Sequence, residues 1–540
     1  MPRSPLFRSL RRLAREHHAA VHGSQTSRAR FLEAGGAAAL AAAVTPLLSA
    51  CGSSAARGRE RIAIVGAGIA GLCAALRLHD AAIPATVYES SDRVGGRMHS
   101  NWTFWDDAQH TEWCGAMIDT DHRTMRGLAA RFRIPLLDTL AAMQPGARDT
   151  AYLHGTYYPM PEADRDFAAI YPILERQLAA VGDAVTYRDA TPEARRLDAM
   201  SMLRWIETYV PGGRTSRLGS LIFEAYRNEY GREPAELSSL NVVEMLGVQR
   251  HYRRPGGELN VLGYSDQRYT TSTGNQRLAM AIADALPQGS ILLRRRMLAI
   301  RRQPGGTYEL TFANGGATEK VVADRVVMAI PFIVLRGLDY SGAGFDAAKI
   351  NAIENLGYGY HTKLHVQFAD RPWRARGRFP WPTTGQIWTD LQFQCSVDFS
   401  LGQSGEAGLV ERFTGAAPGM IDTPPVPYAS TADSPVVQRE ARRFLAMLDE
   451  VWPGTSKSWN GKATFGNAQA DPNILASYSS WLVGQCTTIA GHEFERQGNC
   501  HFAGEHCSVS AQGFMEGGAE TGMRAADDIL ADYRIARLRT

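Results

Sequence analysis

Three groups of residues in this 540-residue chain have types and spacings that suit chemistry. The first is Gly66, Gly68 and Gly71, which follow the apolar run Ile62 to Val65 and precede a second apolar run, Ala85 to Tyr88, ending at Glu89. Where G-x-G-x-x-G joins a strand to a helix, the first glycine permits the tight turn and the second admits a pyrophosphate to the backbone. The third lets the helix pack closely on the sheet. Phosphate then meets unpaired N–H groups and the positive end of the helix. Glu89 stands where an acid accepts from ribose hydroxyls, which disfavours a 2′-phosphate. Glycines in an Ala-rich helix entry can also serve packing alone, but strand, helix and acid in register favour a dinucleotide.

The second group is Arg93-Val94-Gly95-Gly96-Arg97, a further glycine turn followed by arginine, which NAD enzymes have no general need for. The third lies near the other end. Cys500-His501-Phe502-Ala503-Gly504-Glu505-His506 is a strand ending in glycine and an acid, and Gly513-Phe514-Met515-Glu516-Gly517-Gly518-Ala519-Glu520-Thr521-Gly522 opens a helix reaching about Tyr533. Gly518 and Gly522, four apart on one face, let that helix lie against another backbone. Together these stretches resemble the FAD-dependent flavin amine oxidase family, the group of monoamine, polyamine and L-amino-acid oxidases.

The resemblance implies that FAD is held by Gly66, Gly68, Ile69, Ala70, Gly71, Glu89, Ser90, Gly96, Arg97, Gly115, Ala116, Met117, Met297, Gly504, Glu505, Gly513, Phe514 and Met515. Within that set it places Glu505 to accept a ribityl hydroxyl, Met297 to meet adenine through its backbone, and the amides near Met515 to face the pyrimidine ring. The helix's positive end would then stabilise negative charge there. Lys363, in Gly357-Tyr358-Gly359-Tyr360-His361-Thr362-Lys363, matches the lysine that reaches flavin N5 through water; a lone lysine at a strand start is otherwise a solvated edge residue. Tyr478 and Phe514 match the two aromatics that hold the amine, Phe514 without a phenolic hydroxyl. Ser477 stands where monoamine oxidases carry the cysteine that bonds to flavin, so FAD is expected to be non-covalent.

The resemblance implies oxidation of an amine to an imine and aldehyde, with oxygen reduced to hydrogen peroxide. L-Amino-acid oxidases of the group pair an arginine with the substrate carboxylate after the glycine segment. Here that segment, Glu112-Trp113-Cys114-Gly115-Ala116-Met117-Ile118-Asp119, has none, and Arg123 and Arg336 are substitutes without positional support. An amine lacking a carboxylate is therefore the first reading, and an L-amino acid the second. A non-catalytic flavin-binding lipoprotein and a quinone-linked dehydrogenase are further alternatives. The partners expected are the small amine or amino acid and molecular oxygen, and a homodimer is compatible with the resemblance.

Composition separates leader from body. Seven of the 58 Lys/Arg and two of the 55 Asp/Glu lie in the first fifty residues, so the remainder carries 51 basic against 53 acidic residues. Near neutrality gives no electrostatic argument for nucleic acid. Within the leader, Arg28 and Arg30, an apolar run to Leu47 and Leu48-Ser49-Ala50-Cys51 make an n-region, an h-region and a small-residue cleavage site. The last four residues resemble a bacterial lipobox, with lipid on Cys51 as the membrane attachment of an exported, periplasmic or outer-surface protein. Ser27 to Leu32 looks like a twin-arginine signal in which Ala29 replaces the second arginine. Cys73, Cys114, Cys395, Cys486, Cys500 and Cys507 show no metal-ligand spacing; Cys500 with Cys507 or Cys486 are candidate disulfide partners, with pairing left open.

The body is too long for one core. The fold expected is α/β: a Rossmann-like, glutathione-reductase-type FAD domain from 60–115, 270–332 and 484–540, with a mixed α+β substrate domain from 116–165 and 333–483. Residues 166–265 form a helical insertion, in which 168–181 and 192–209 read as helices with apolar residues three and four apart. Arg195 to Met200 reads as a solvated helix face.

Overall fold

A computed structural model describes residues 60–539 except 183, 250–258, 375–379 and 421. The leader and Cys51 lie outside the described residues. A five-stranded parallel sheet holds the dinucleotide turn, in the order Cys500–Phe502, Arg325–Met328, Ile62–Val65, Thr86–Tyr88 and Ile291–Leu292. Both faces are covered, as a parallel sheet requires. On one face pack helix Ile69–Asp80 and the C-terminal helix Met515–Arg539, around Leu72, Leu76, Ala519 and Ala526. On the other lies the antiparallel meander Arg296–Arg302, Tyr308–Asn314 and Ala317–Ala323, where Phe312 stacks on Tyr88 with ring centroids 4.4 Å apart.

The two helices touch through glycine. A Cβ on Gly522 would stand 2.0 Å from the carbonyl oxygen of Ala70, and one on Gly518 would stand 2.7 Å from Ile69 Cγ2. Backbone therefore meets backbone where helix Ile69–Asp80 begins.

The second body is an eight-stranded mixed sheet. Its central strand, His361–Phe368, pairs antiparallel with Trp459–Asn467 on one side and Gly408–Gly415 on the other. Helix Pro435–Val451 covers one face through Phe444, Leu445 and Leu448. Lys363 thus lies inside the sheet, not at a wet edge, and it is buried.

Helices Met160–Val181, Arg217–Tyr230 and Leu240–Gly247 form the main helical body around Phe167, Trp205 and Tyr226. The stretch expected as one helix over 192–209 divides into Pro192–Asp198 and Met202–Tyr209. The face read as solvated is only half so. Arg195 and Arg196 are exposed, whereas Asp198 is buried and accepts from Ser238 Oγ at 2.7 Å and from Thr487 N and Oγ, both at 2.8 Å. The C-terminal helix runs beyond Tyr533 to Arg539. Among the described residues all six cysteines are free, no group of His, Cys, Asp and Glu could hold a metal, and no helix is long and apolar enough to cross a membrane.

Candidate active site

A cavity of about 410 Å³ runs between the three bodies. Gly66, Gly68, Ile69, Ala70, Glu89, Ser90, Gly96, Arg97, Gly115, Ala116 and Met117 line it, together with Gly504, Glu505, Gly513, Phe514 and Met515. Lys363 and Tyr478 line it from the mixed-sheet side. Two of the residues read from sequence do not. Gly71 packs instead: a Cβ there would meet the Gly66 carbonyl oxygen at 1.9 Å. Met297 lines a neighbouring hollow of about 30 Å³, which shares Gly66, Ser90 and Ile330 with the main cavity.

The turn is shaped for a group outside the protein. A Cβ on Gly66 would collide with Ala329 O at 2.9 Å, but one on Gly68 would meet nothing within 4 Å, and no side chain caps the helix that follows. Glu89 is held by the Ala67 amide on Oε2, at 2.6 Å, and by Ser91 N and Oγ on Oε1, both at 2.8 Å. Two buried donors that line the cavity, Arg93 Nη1 and Gln512 Nε2, have no partner among the described residues. Buried donors without partners are rare in folded proteins. An open cradle at a helix start and two unused donors fit an elongated, phosphate-bearing cofactor.

Glu505 departs from expectation. Its Oε1 accepts from Arg97 at 2.9 Å and Ser479 N at 3.1 Å, and its Oε2 from Ser479 Oγ at 2.7 Å and Gly513 N at 2.9 Å. A carboxylate has about four acceptor positions, so none remains for a ribityl hydroxyl. Glu505 instead fixes Arg97 and Gly513 at the wall. Burial works against its charge, but Arg97 and these donors hold its carboxyl below the usual range.

On the central strand, residues two apart share a face. His361, Lys363 and His365 therefore point together, and Glu411 stands opposite His365 in register on Gly408–Gly415. Lys363 Nζ donates to Glu411 Oε2 at 3.0 Å, and His365 Nε2 lies 2.8 Å from the same oxygen. Burial raises the cost of the Glu411 charge, yet Lys363 and the His365 donor keep its carboxyl below the usual range. Close by, the buried Glu112 carboxyl is pushed up to about 8 by burial, although Asn275 N and Ser100 Oγ donate to it.

Aromatic rings continue this wall around His361. Tyr478 stacks on His361 at 4.9 Å, and His361 stacks on Phe413 at 4.5 Å. Burial pushes the His361 ring down to about 3, so it is neutral. Because Asn228 O can only accept from Nε2, at 2.5 Å, the proton sits there and Nδ1 accepts from Ser477 Oγ at 2.6 Å. The Tyr478 hydroxyl donates to Glu229 O. Gly513, next to Phe514, leaves the Tyr478 ring 3.3 Å from where its Cβ would be, and Phe514 itself meets His122 edge-on at 5.0 Å. Sequence reasoning missed Glu411, His361, Glu229 and Glu244 as wall residues; of these, only His361 lay in a motif already singled out. Arg123 and Arg336 do not line the cavity, and Arg336 is spent on the carbonyls of Ile353 and Leu356.

The family model for flavin containing amine oxidoreductase matches residues 69–530. The putative L-amino-acid oxidase YobN of Bacillus subtilis is 22% identical over 503 residues, covering 88% of this chain and 96% of that protein. Polyamine oxidase 4 of Oryza sativa is 24% identical over 487 residues, covering 86% and 88%. Among solved structures, cyclohexylamine oxidase of Brevibacterium oxydans superposes with a TM-score of 0.71 at 18% identity, covering 88% of this chain and 99% of that one. Wild-type putrescine oxidase bound to putrescine superposes with a TM-score of 0.70, also at 18% identity, covering 87% and 99%.

Proposed function

This chain belongs to the flavin-containing amine oxidoreductases, a family whose cofactor is FAD, and from that premise we propose that it oxidises an amine without a carboxylate to the imine and aldehyde, with oxygen reduced to hydrogen peroxide. The observation that carries the proposal is the meeting of the Gly66–Gly68 cradle and the Tyr478–His361 wall in one cavity. When bound, FAD supplies the two-electron acceptor for the amine C–H and passes the electrons to oxygen.

The chain's residues orient and exclude. Tyr478 and Phe514 offer ring faces to the amine and fix its approach. The neutral His361 holds Tyr478 by stacking without adding charge that would repel an ammonium. Helix Met515–Arg539 points its positive end at the cavity, where it favours negative charge. A carboxylate on the substrate would lack a partner. Arg97 is engaged by Glu505 and Ser477 O and Lys363 by Glu411, while Arg93, whose unpartnered Nη1 is assigned above to the phosphate-bearing cofactor, stands at the glycine turn. Anaerobic mixing with amines and amino acids tests this. Amines should bleach the yellow flavin and, in air, yield peroxide; bleaching by amino acids alone would overturn the preference, and bleaching by neither would overturn the oxidase.

We also propose that FAD is non-covalent, because Ser477 offers a hydroxyl engaged by His361 and no thiol. Acid denaturation should release all flavin, and colour left on the precipitated chain would contradict it. The leader supports export with lipid on Cys51. Cys51→Ala should then move the protein out of the membrane fraction, whereas wild-type protein already soluble after export would exclude the anchor.

A further inference from the structure

On the central strand Lys363 stands in register opposite Phe413, but its ammonium leans away. Nζ passes 5.5 Å from the centre of the Phe413 ring and bonds Glu411 Oε2 at 3.0 Å, two residues further along the ladder, opposite His365. His365 Nε2 meets the same oxygen at 2.8 Å. Glu411 is ionised and can only accept, so the ring proton sits on Nε2 and Nδ1 is bare. His365 is fully buried, Trp105 and Phe399 close on it edge-on, and Nδ1 has no partner among the described residues. A buried acceptor left unmet is costly, and the bond to Glu411 offsets that cost.

Lys363 and Glu411 line the cavity, and His365 stands behind them. The other titratable groups in their fields are His361 on the same strand, Glu112 and Cys114 on the glycine segment, and Cys395 on the strand beside Glu411. Burial takes the charge from each. His361 is pushed down to about 3, Glu112 up to about 8, and both thiols up from their usual range. Through the neutral range Lys363 and Glu411 are therefore the charged members of the cluster. An enclosed ammonium keeps its charge only beside an anion; alone it sheds its proton.

In the oxidase reading, oxygen takes two electrons and one proton from the reduced cofactor and one proton from solvent, and leaves as hydrogen peroxide. The first electron makes it an anion, which a cation facing the cavity stabilises. We infer that Glu411 and His365 are positioning residues for this half of the reaction: Glu411 aims Lys363 Nζ and keeps it a cation, and the neutral His365 ring keeps Glu411 an anion. The inference rests on the oxidase reading. It gives a task to two residues outside the Gly357–Lys363 motif.

Holoenzyme reduced anaerobically with dithionite, which needs no amine, and then mixed with oxygen by stopped flow tests it. Wild-type reoxidation should be level from about pH 5.5 to about 7.5, where no other group of the cluster changes charge. Glu411→Gln should match or exceed the wild-type rate at the acid end, where Lys363 keeps its proton unopposed. Its rate should then fall by up to ~100-fold toward the alkaline end as that proton is lost. The absorption band of the oxidised flavin should shift with the same midpoint in the variant and stay fixed in the wild type, which a merely loosened fold would not produce. His365→Phe keeps the ring and removes the donor, so Glu411 takes up a proton more readily and reoxidation should quicken as pH falls. A level profile in Glu411→Gln, or a uniform slowing at every pH, overturns the inference while leaving the oxidase intact. Reduced wild-type protein that does not react with oxygen ends the oxidase reading and the inference with it. Should Glu411→Gln fail to fold, His365→Phe decides, and a level profile there overturns the inference.

Discussion

Oxygen gains negative charge as it is reduced, and a cation facing an enclosed cavity stabilises that charge more than it would in water. Lys363 is the candidate for that cation, although its bond to Glu411 offsets part of its field. Lys363→Met should slow reoxidation by ~100-fold, about 2.7 kcal/mol of barrier. The single variant strands Glu411 as a buried carboxylate at a cost of about 3–5 kcal/mol in stability, so Lys363→Met with Glu411→Gln is the cleaner measurement. Stopped-flow mixing of reduced protein with oxygen at the wild-type rate in the double variant would remove Lys363 from this role. Lys363 could be read from its glycine- and tyrosine-rich motif. Glu411 could not, because it lies 48 positions away in an ordinary strand, and only antiparallel register brings it opposite His365. Glu229 and Glu244 were hidden for the same reason: within a stretch read only as helical, an acid looks like a wet face until another body closes over it.

Among elements, the contact between helices Ile69–Asp80 and Met515–Arg539 governs the cofactor end. Gly522→Ala would drive a methyl into the Ala70 carbonyl, so it should cost roughly 1–3 kcal/mol or more by overpacking and lower flavin retention. Gly127→Ala is the control. Gly127 is exposed on helix Arg123–Arg131 with open space around it, and alanine there should stabilise by about 0.5–1 kcal/mol. Thermal melts with flavin quantified after gel filtration read both, and equal behaviour of the two variants would contradict the packing argument. This pair of elements was legible because glycines four apart on one face announce close approach. The break at Asp198 was not: a charge among arginines reads as solvated, whereas Ser238 and Thr487, distant in sequence, satisfy it inside.

For the whole molecule, buried acids and bases set the pH range of stability. Burial pushes Glu112 up to about 8 and Glu224, Glu229 and Glu244 up to about 7, from 4.5. Each keeps a proton that the unfolded chain has released, so stability falls as pH rises from 4.5 through those values. Burial pushes His99, His361, His501 and His506 down to about 3 from 6.5, so the unfolded chain binds more protons there and stability falls as pH drops from 6.5. Each group contributes about 1.4 kcal/mol per pH unit in its window. The two sets oppose each other between 4.5 and 6.5, and the melting temperature of the holoenzyme should be highest there. A melting temperature that climbs from pH 6.5 to 8 would contradict it. The two-lobed α/β fold was legible from motifs at both ends of the chain, while the closing of three bodies around one cavity was not, since no local pattern records it. That closure also sets a clock. The Arg77–Asp527 ion pair joins residues 450 positions apart, and the sheet strand Cys500–Phe502 and the helix on Ala70 are made long after the glycine turn. At ribosomal speed the glycine turn waits roughly 20 to 90 s for its cover, and the apolar side chains of Leu72 and Leu76 stay open on that side for as long.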